Sequence, residues 1–159
     1  MENQVNVKLQ CEVVTREFLL VGECKTANFP SSFPDIALQT QIQFANRKHE
    51  ISNALNQEIL FSPYMCNGIV ATYFACLEVE SLTDIPEGMI GFKLPIIDYA
   101  KVRCTTKSIG EGYDQIFGWM QANGYRQKFL EQTCPVEIYY LEENVEEEQV
   151  EILIPIHSV

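Results

Sequence analysis

The sequence has 159 residues, 47% of them hydrophobic, which is the length of one ordinary domain with a substantial core. Its formal net charge of -11 argues against a protein that binds DNA or RNA through phosphates, and against a polybasic protein that binds membrane surfaces. No stretch approaches the roughly 20 apolar residues of a membrane span, and the N-terminus lacks a signal-peptide pattern. We therefore expect one cytoplasmic domain, residues 1–159, with a cationic or neutral partner.

The N-terminal third predicts two strands followed by a helix. Residues 5–14 and 17–24 alternate as strands do, with Thr15 and Arg16 forming a tight turn or a bulge between them. After a segment rich in proline and serine, apolar residues recur at helical spacing and predict a helix over residues 35–51 that begins near Asp35.

The middle of the chain reads as a hairpin and then a longer strand. A strand-like piece is followed by a turn at either Pro63 or Asn67-Gly68, and residues 69–79 form a clear strand. Gly88 and Pro95 then separate a short extended piece from a longer strand.

A second helix follows. Ser108 and Glu111 have the spacing of a capping box, which predicts a helix start. The Asn123-Gly124 pair is typical of a helix end.

Two final strands, near residues 136–142 and 149–156, are joined by a glutamate-rich hairpin loop. In the first, Glu137 and Tyr139 share one face because side chains alternate with period 2. A carboxylate on an inward face needs a positive or hydrogen-bonding partner, which a ligand can supply. The alternative is that Glu137 is a solvated strand residue like Glu151.

The six cysteines are widely spaced, and most lie in apolar runs that read as reduced core. They include no CxxC pair, and His49 and His157 are remote from each other and from any tight cysteine pair. We expect neither a metal nor another cofactor.

The order of elements contains a β-α-β-β pattern twice. It predicts an α+β fold in which duplicated β-α-β-β units form an antiparallel sheet, with two helices on one face and a ligand groove between the halves.

Four segments of the C-terminal half carry a family resemblance: residues 85–102, 113–125, 135–143 and 149–156. In order and spacing, the region from about residue 60 to 156 resembles the GyrI-like effector-binding domain. That domain is also the ligand-binding half of AraC-type and MerR-type multidrug-responsive regulators. The resemblance implies a pocket for bulky hydrophobic molecules, often aromatic or cationic.

The resemblance also suggests site residues. Glu137 matches the family's buried glutamate, which meets the ligand's positive charge, while Trp119, Tyr99 and Tyr73 match positions of aromatic walls. Tyr139 joins this ligand-binding set as the neighbour of Glu137 on its face. On helical spacing alone, Trp119 could instead be an ordinary core residue.

Three further aromatic residues are expected to serve packing rather than binding. These are Phe44, Tyr64 and Tyr140.

Three functions are compatible with this sequence. The first is a stand-alone binding domain, monomeric or homodimeric, that sequesters or senses a drug or toxin, since only the strand at 5–14 precedes the domain where a regulator would carry a helix-turn-helix. The second is a hydrolase of cyclopropane-bearing DNA-alkylating natural products, with Glu137 activating water and Tyr99, Tyr73 or Tyr139 donating a proton. The third is an acidic inhibitor of DNA gyrase.

Overall fold

The computed structural model of the protein describes residues 10–130 and 132–158. Residues 5–9 of the first predicted strand lie outside this range. The elements are β1 (Cys11–Asn28), α1 (Asp35–Ala45), a 3-10 turn (Lys48–Glu50), β2 (Ile59–Cys66), β3 (Val70–Glu78), β4 (Ile90–Thr105), α2 (Ile109–Ala122), β5 (Tyr125–Gln127), β6 (Val136–Tyr140) and β7 (Gln149–Ser158). Within the described residues, no helix is long and apolar enough to cross a membrane.

The strands form an antiparallel sheet in the order β4-β1-β3-β2-β6-β7-β5. Strand β4 also pairs with β7, from Tyr99 opposite Pro155 to Thr105 opposite Gln149. Strands β4, β1, β3, β2, β6 and β7 therefore close into a ring, and β5 extends β7. The predicted α+β fold is confirmed, while the ring closure and the short strand β5 were not predicted from the sequence.

Each face of the sheet carries its own core. Under the helices, Phe44 of α1 and Ile116 and Met120 of α2 pack on sheet residues such as Val102 and Ile152. Both helices therefore cover the same face, as predicted. The second core lies on the opposite face, inside the ring, and includes the buried residues Phe18, Phe61, Tyr99, Val136, Ile138 and Leu153.

Strand β1 is continuous, so the two strands predicted at its position are one. The sequence left a turn or a bulge open at Thr15 and Arg16, and the pairing with β4 shifts register between Arg16 and Phe18. Opposite this shift, Pro95 is left out of the ladder between Leu94 and Ile97. A bulge tolerates proline, which has no N–H to donate. Strand β4 therefore continues through Pro95, which was expected to interrupt it.

The turn and helix-end signals had mixed outcomes. The Asn67-Gly68 turn joins β2 to β3, and the Asn67 Oδ1 accepts hydrogen bonds from the N–H groups of Ile69 and Val70, both at 2.9 Å. Helix α2 ends before Gly124, whose φ of 75° is the left-handed conformation expected there. Helix α1 begins at Asp35 as predicted but ends at Ala45, short of the expected residue 51.

The predicted capping box at the start of α2 is wrong. Ser108 does precede the helix, but its side chain makes no capping hydrogen bond. Its Oγ instead accepts a hydrogen bond from the Thr105 N–H at 2.9 Å, which fixes the turn between β4 and α2.

Candidate functional site

Glu137 lies in the middle of β6, on the sheet face that the helices cover. Its neighbours across the sheet are Ser62 of β2 and Ile152 of β7, and the residue is only 9% exposed. Tyr139 lies on the same face, as the alternation predicted, and its hydroxyl donates a hydrogen bond to the Glu137 Oε1 at 2.8 Å. The carboxylate is therefore buried and bound by its own strand.

A second tyrosine reaches the same carboxylate from α2. The Tyr113 hydroxyl donates a hydrogen bond to the Glu137 Oε2 at 2.5 Å. The Tyr113 hydroxyl also lies 2.8 Å from the hydroxyl of Tyr64 on β2. Each carboxylate oxygen thus has one phenol donor, and the Tyr64–Tyr113 pair bridges from sheet to helix.

Glu137 has hydrogen-bond donors but no cation. Among the described residues, no lysine or arginine forms an ion pair with it. Burial raises the pKa of Glu137 above its ordinary value of 4.5, and the hydrogen bonds from Tyr113 and Tyr139 oppose this rise. A buried carboxylate in this state is stabilised further by any positive charge that reaches it.

The second buried glutamate, Glu151, differs in this respect. The sequence analysis treated it as a solvated strand residue, but its side chain is only 6% exposed and forms salt bridges to Lys101 at 3.0 Å and Arg103 at 3.3 Å. Burial tends to raise the pKa of Glu151, but the hydrogen bond from Tyr140 and the neighbouring cations bring its pKa below the ordinary value. Within the part of the chain that the structure describes, cations therefore pair with Glu151 and none pairs with Glu137.

Glu137 forms part of a cleft of about 470 Å³ between α1 and α2, which we call the first cleft. Its lining is mostly aromatic and apolar: Phe29, Pro30, Phe33, Pro34, Ala37, Tyr64, Cys66, Ala71, Thr72, Tyr73, Tyr113 and Glu137. The rings of Phe29 and Phe33, in the segment between β1 and α1, have centroids 5.8 Å apart. This combination of one carboxylate and several aromatic rings is a feature of sites that bind organic cations.

Tyr73 lines the first cleft, as the resemblance implied. Its hydroxyl donates to the Ser62 Oγ at 3.0 Å and accepts from the Gln41 Nε2 of α1 at 2.6 Å. Burial raises the pKa of Tyr73 to about 12, so its phenol stays protonated at neutral pH. Tyr139 does not line the cleft, which corrects its assignment to the ligand-binding set; it positions Glu137 through its hydrogen bond.

Tyr99 does not reach this site, which corrects its assignment. It is 1% exposed in the core inside the ring, where its ring packs edge-on against Phe18 with centroids 5.8 Å apart. Glu137 points to the opposite face of the sheet. Tyr99 can therefore neither contact a ligand beside Glu137 nor donate a proton there.

Trp119 also lies outside the first cleft. It is six positions beyond Tyr113 on α2, and at about 3.6 residues per turn the two lie on opposite flanks of the buried stripe formed by Ile116 and Met120. Trp119 instead stacks on Tyr125, with ring centroids 5.6 Å apart. Trp119 is therefore not an aromatic wall of the first cleft, which corrects its assignment.

Tyr64 and Tyr113 are site residues that sequence reasoning missed. Tyr64 was expected only to pack, but the β2–β3 hairpin pairs it directly with Tyr73. A hairpin turn at Asn67-Gly68 predicts this pairing, so the sequence did contain a signal for Tyr64. Phe44 is fully buried under α1 and Tyr140 packs against the core inside the ring, so both serve packing as expected.

The cysteines are all free thiols, and Cys76, Cys104 and Cys134 are buried. Cys24 and Cys66 are exposed, contrary to the reading of these residues as core. In residues 10–130 and 132–158, no group of three or more His, Cys, Asp or Glu residues is placed to hold a metal ion.

Comparison with known proteins now places this geometry in a family. The family model Cass2, an integron-associated effector binding protein, matches residues 28–156. The chain belongs to the Cass2 family. The resemblance to GyrI-like effector-binding domains is thereby confirmed.

Solved structures with the same fold include two proteins of similar length. The EcmrR C-terminal domain is 17% identical with a TM-score of 0.67, and the match covers 95% of this chain and 99% of that one. SAV2435 bound to tetraphenylphosphonium is 15% identical with a TM-score of 0.66, over 95% of this chain and 94% of that one.

A third is the integron cassette protein VCH_CASS2 from the mobile metagenome of Vibrio cholerae, 14% identical with a TM-score of 0.57, over 96% of this chain and 99% of that one. At these identities the likeness establishes the fold. A search of the curated proteins found no match to the sequence.

Proposed function

We propose that this effector-binding domain binds bulky hydrophobic cations that carry aromatic rings, as a protein that sequesters or senses a drug or toxin. One observation carries the proposal: Glu137 is buried in a cleft of aromatic side chains and, among the described residues, has no ion-pair partner. A cationic ligand would provide the missing positive charge.

The energetics favour a large, weakly hydrated cation over a small one. A compact ion such as Na⁺ or a lysine-like ammonium would lose its strong hydration on entering an apolar cleft. An organic cation with delocalised or shielded charge loses less, and each aromatic face that it meets adds about 0.5–2 kcal/mol of cation–π attraction. The aromatic residues Phe29, Phe33, Tyr64, Tyr73 and Tyr113 are available for such contacts.

The comparison with SAV2435 supports the same ligand class. That protein has been solved with tetraphenylphosphonium, a cation whose charge is surrounded by four phenyl rings. In this chain the same ligand class is favoured by its own carboxylate, Glu137, and by the aromatic residues that line the first cleft.

The experiment is calorimetric titration of tetraphenylphosphonium into three proteins: wild type, Glu137→Gln and Glu143→Gln. Glu143 lies in the exposed loop between β6 and β7, so its variant changes the net charge equally but far from the cleft. We expect the dissociation constant to rise about tenfold or more in Glu137→Gln and to be unchanged in Glu143→Gln. Equal affinities in all three proteins would contradict the proposal.

Hydrolysis is a second candidate function, favoured by the raised pKa of Glu137 and by the phenols beside it. Such a carboxylate can accept a proton from water as the water attacks a strained ring carbon. Tyr113, which lines the cleft, would then donate to the oxygen that gains charge, a role that Tyr99 cannot take. Mass spectrometry of a cyclopropane-bearing alkylator incubated with wild type and Glu137→Gln tests this, since turnover must depend on Glu137.

Binding ranks first because both Glu137 oxygens already accept hydrogen bonds from phenols. A cation gains from the carboxylate without displacing these donors, whereas a general base needs an oxygen free for water. Inhibition of gyrase rests on net charge alone and explains no feature of the cleft.

A further inference from the structure

A second cleft, of about 400 Å³, adjoins the first. Three residues line both clefts and form the wall between them: Tyr64, Cys66 and Tyr113. The contact across this wall is the pair of hydroxyls of Tyr64 and Tyr113, 2.8 Å apart. The partition therefore includes a side-chain contact between β2 and α2.

An aromatic surface continues from one cleft to the other along α2. Tyr113 lines both clefts, and Phe117 lines only the second. One helical turn separates them, and their rings are nearly parallel at 23°, with centroids 6.3 Å apart. A planar group that follows this surface passes from the first cleft to the second without leaving aromatic contact.

The second cleft presents exposed apolar side chains at its rim. Phe129 is 75% exposed and Met65 53% exposed, and both line the second cleft but not the first. Isolated exposed apolar residues are ordinary. Here they gather around a cleft that adjoins a candidate binding site, which is where exposed apolar surface indicates a contact with another molecule.

The two clefts differ in charge. Glu137 lies in the first cleft, whereas the described residues that line the second include no carboxylate. A cationic group is therefore favoured in the first cleft, beside Glu137. An uncharged aromatic or aliphatic group suits the second cleft, where Phe117, Phe129 and Pro135 provide apolar contact.

We propose that the two clefts form one elongated binding site for ligands with two parts. An aromatic cation occupies the first cleft against Glu137, and an uncharged ring on a short alkyl chain passes the Tyr64–Tyr113 pair into the second cleft. This inference rests on the proposed function and extends it by defining the shape of the ligand. Phe117 and Phe129 become specificity-determining residues that select for the second ring.

The test compares two phosphonium cations that share a head and differ in their fourth substituent. Methyltriphenylphosphonium fills only the first cleft, whereas (4-phenylbutyl)triphenylphosphonium also reaches the second. In wild type we expect the phenylbutyl compound to bind about tenfold more tightly or better, since burying one ring is worth at least that ratio.

Matched variants then show which residues cause the tighter binding of the phenylbutyl compound. Phe129 and Leu130 are adjacent and almost equally exposed, at 75% and 76%, but only Phe129 lines the second cleft. We expect Phe129→Ala, and independently Phe117→Ala, to reduce the tenfold ratio to about threefold or less, while Leu130→Ala preserves it. Thermal unfolding of each variant checks that the fold is retained.

Each outcome decides between the two proposals. If methyltriphenylphosphonium binds but the phenylbutyl compound gains nothing, the elongated site is overturned and the proposed function stands. A gain that survives in both Phe117→Ala and Phe129→Ala also overturns it, because the ring then lies elsewhere. If neither cation binds wild type, the elongated site and the proposed function fall together.

Discussion

Tyr113 of α2 and Glu137 of β6 are joined by a hydrogen bond of 2.5 Å, which ties the helix to the sheet at the first cleft. A phenol that donates to a carboxylate favours the ionised form. Tyr113 and Tyr139 therefore limit the rise in the pKa of Glu137 that burial causes.

Cation binding should depend on pH through Glu137. The ionised carboxylate attracts a cation and the protonated one does not, so affinity should fall as the pH drops through the raised pKa of this group. Titration of tetraphenylphosphonium from pH 8 down to about pH 4, where the fold is verified by circular dichroism, checks this. Affinity that is constant over this range would show that Glu137 does not supply the charge.

The variant Tyr113→Phe should move that pH dependence upward. Without the hydroxyl the carboxylate loses one of its two phenol donors, and its pKa rises further. Loss of a hydrogen bond to a charged group is worth roughly 1.5–3 kcal/mol, or about one to two pH units. We expect the midpoint of cation binding to shift by that amount, whereas Tyr125→Phe, which lies against Trp119 and away from the cleft, should leave it in place.

Glu137→Gln should change the pH dependence of stability. Because folding raises the pKa of Glu137 above 4.5, the folded state binds this proton more tightly than the unfolded state. The free energy of unfolding of wild type therefore declines as pH rises between the two pKa values. Glutamine does not titrate, so the variant should gain stability relative to wild type over that interval. Denaturant unfolding of wild type and Glu137→Gln at several pH values measures the difference, and a difference that does not change with pH would contradict this prediction.

Glu151→Gln should have the opposite effect on stability at neutral pH. Glu151 is paired with Lys101, whose side chain is only 17% exposed, and removing the carboxylate leaves that ammonium with a single partner, Glu12. Removing one hydrogen-bonding partner from a partly buried group in this way costs about 1–3 kcal/mol. Urea unfolding at pH 7 should show this loss, while cation affinity stays unchanged because Glu151 lies outside both clefts. A stable Glu151→Gln protein would mean that the pair contributes little.

The alternation of β6 was enough to place Glu137 and Tyr139 on one face, because a strand's period is independent of its tertiary setting. The face of Tyr99 could also have been predicted. It shares its side of β4 with Lys101 and Arg103, whereas Ala100, Val102 and Cys104 form the apolar side that the helices cover.

Other features depend on contacts that the sequence does not specify locally. Pairing of β4 with β7 joins residues far apart in the chain, and alternation defines the faces of a strand without naming its partner. The contact of Tyr113 with Glu137 depends on how α2 is rotated on the sheet, which the buried stripe of Ile116 and Met120 determines only together with the sheet surface.

The most direct test of the central claim is a thermodynamic cycle that removes the charge of the ligand and the charge of residue 137, separately and together. Methyltriphenylphosphonium and the neutral triphenylphosphine oxide have nearly the same shape, and wild type and Glu137→Gln differ only in the carboxylate. We expect the cation to lose about tenfold or more in affinity on the substitution and the neutral compound to lose almost nothing, which gives a coupling of about 1.4 kcal/mol or more. Equal losses for the two compounds would contradict a role for Glu137 as the ligand's counter-charge.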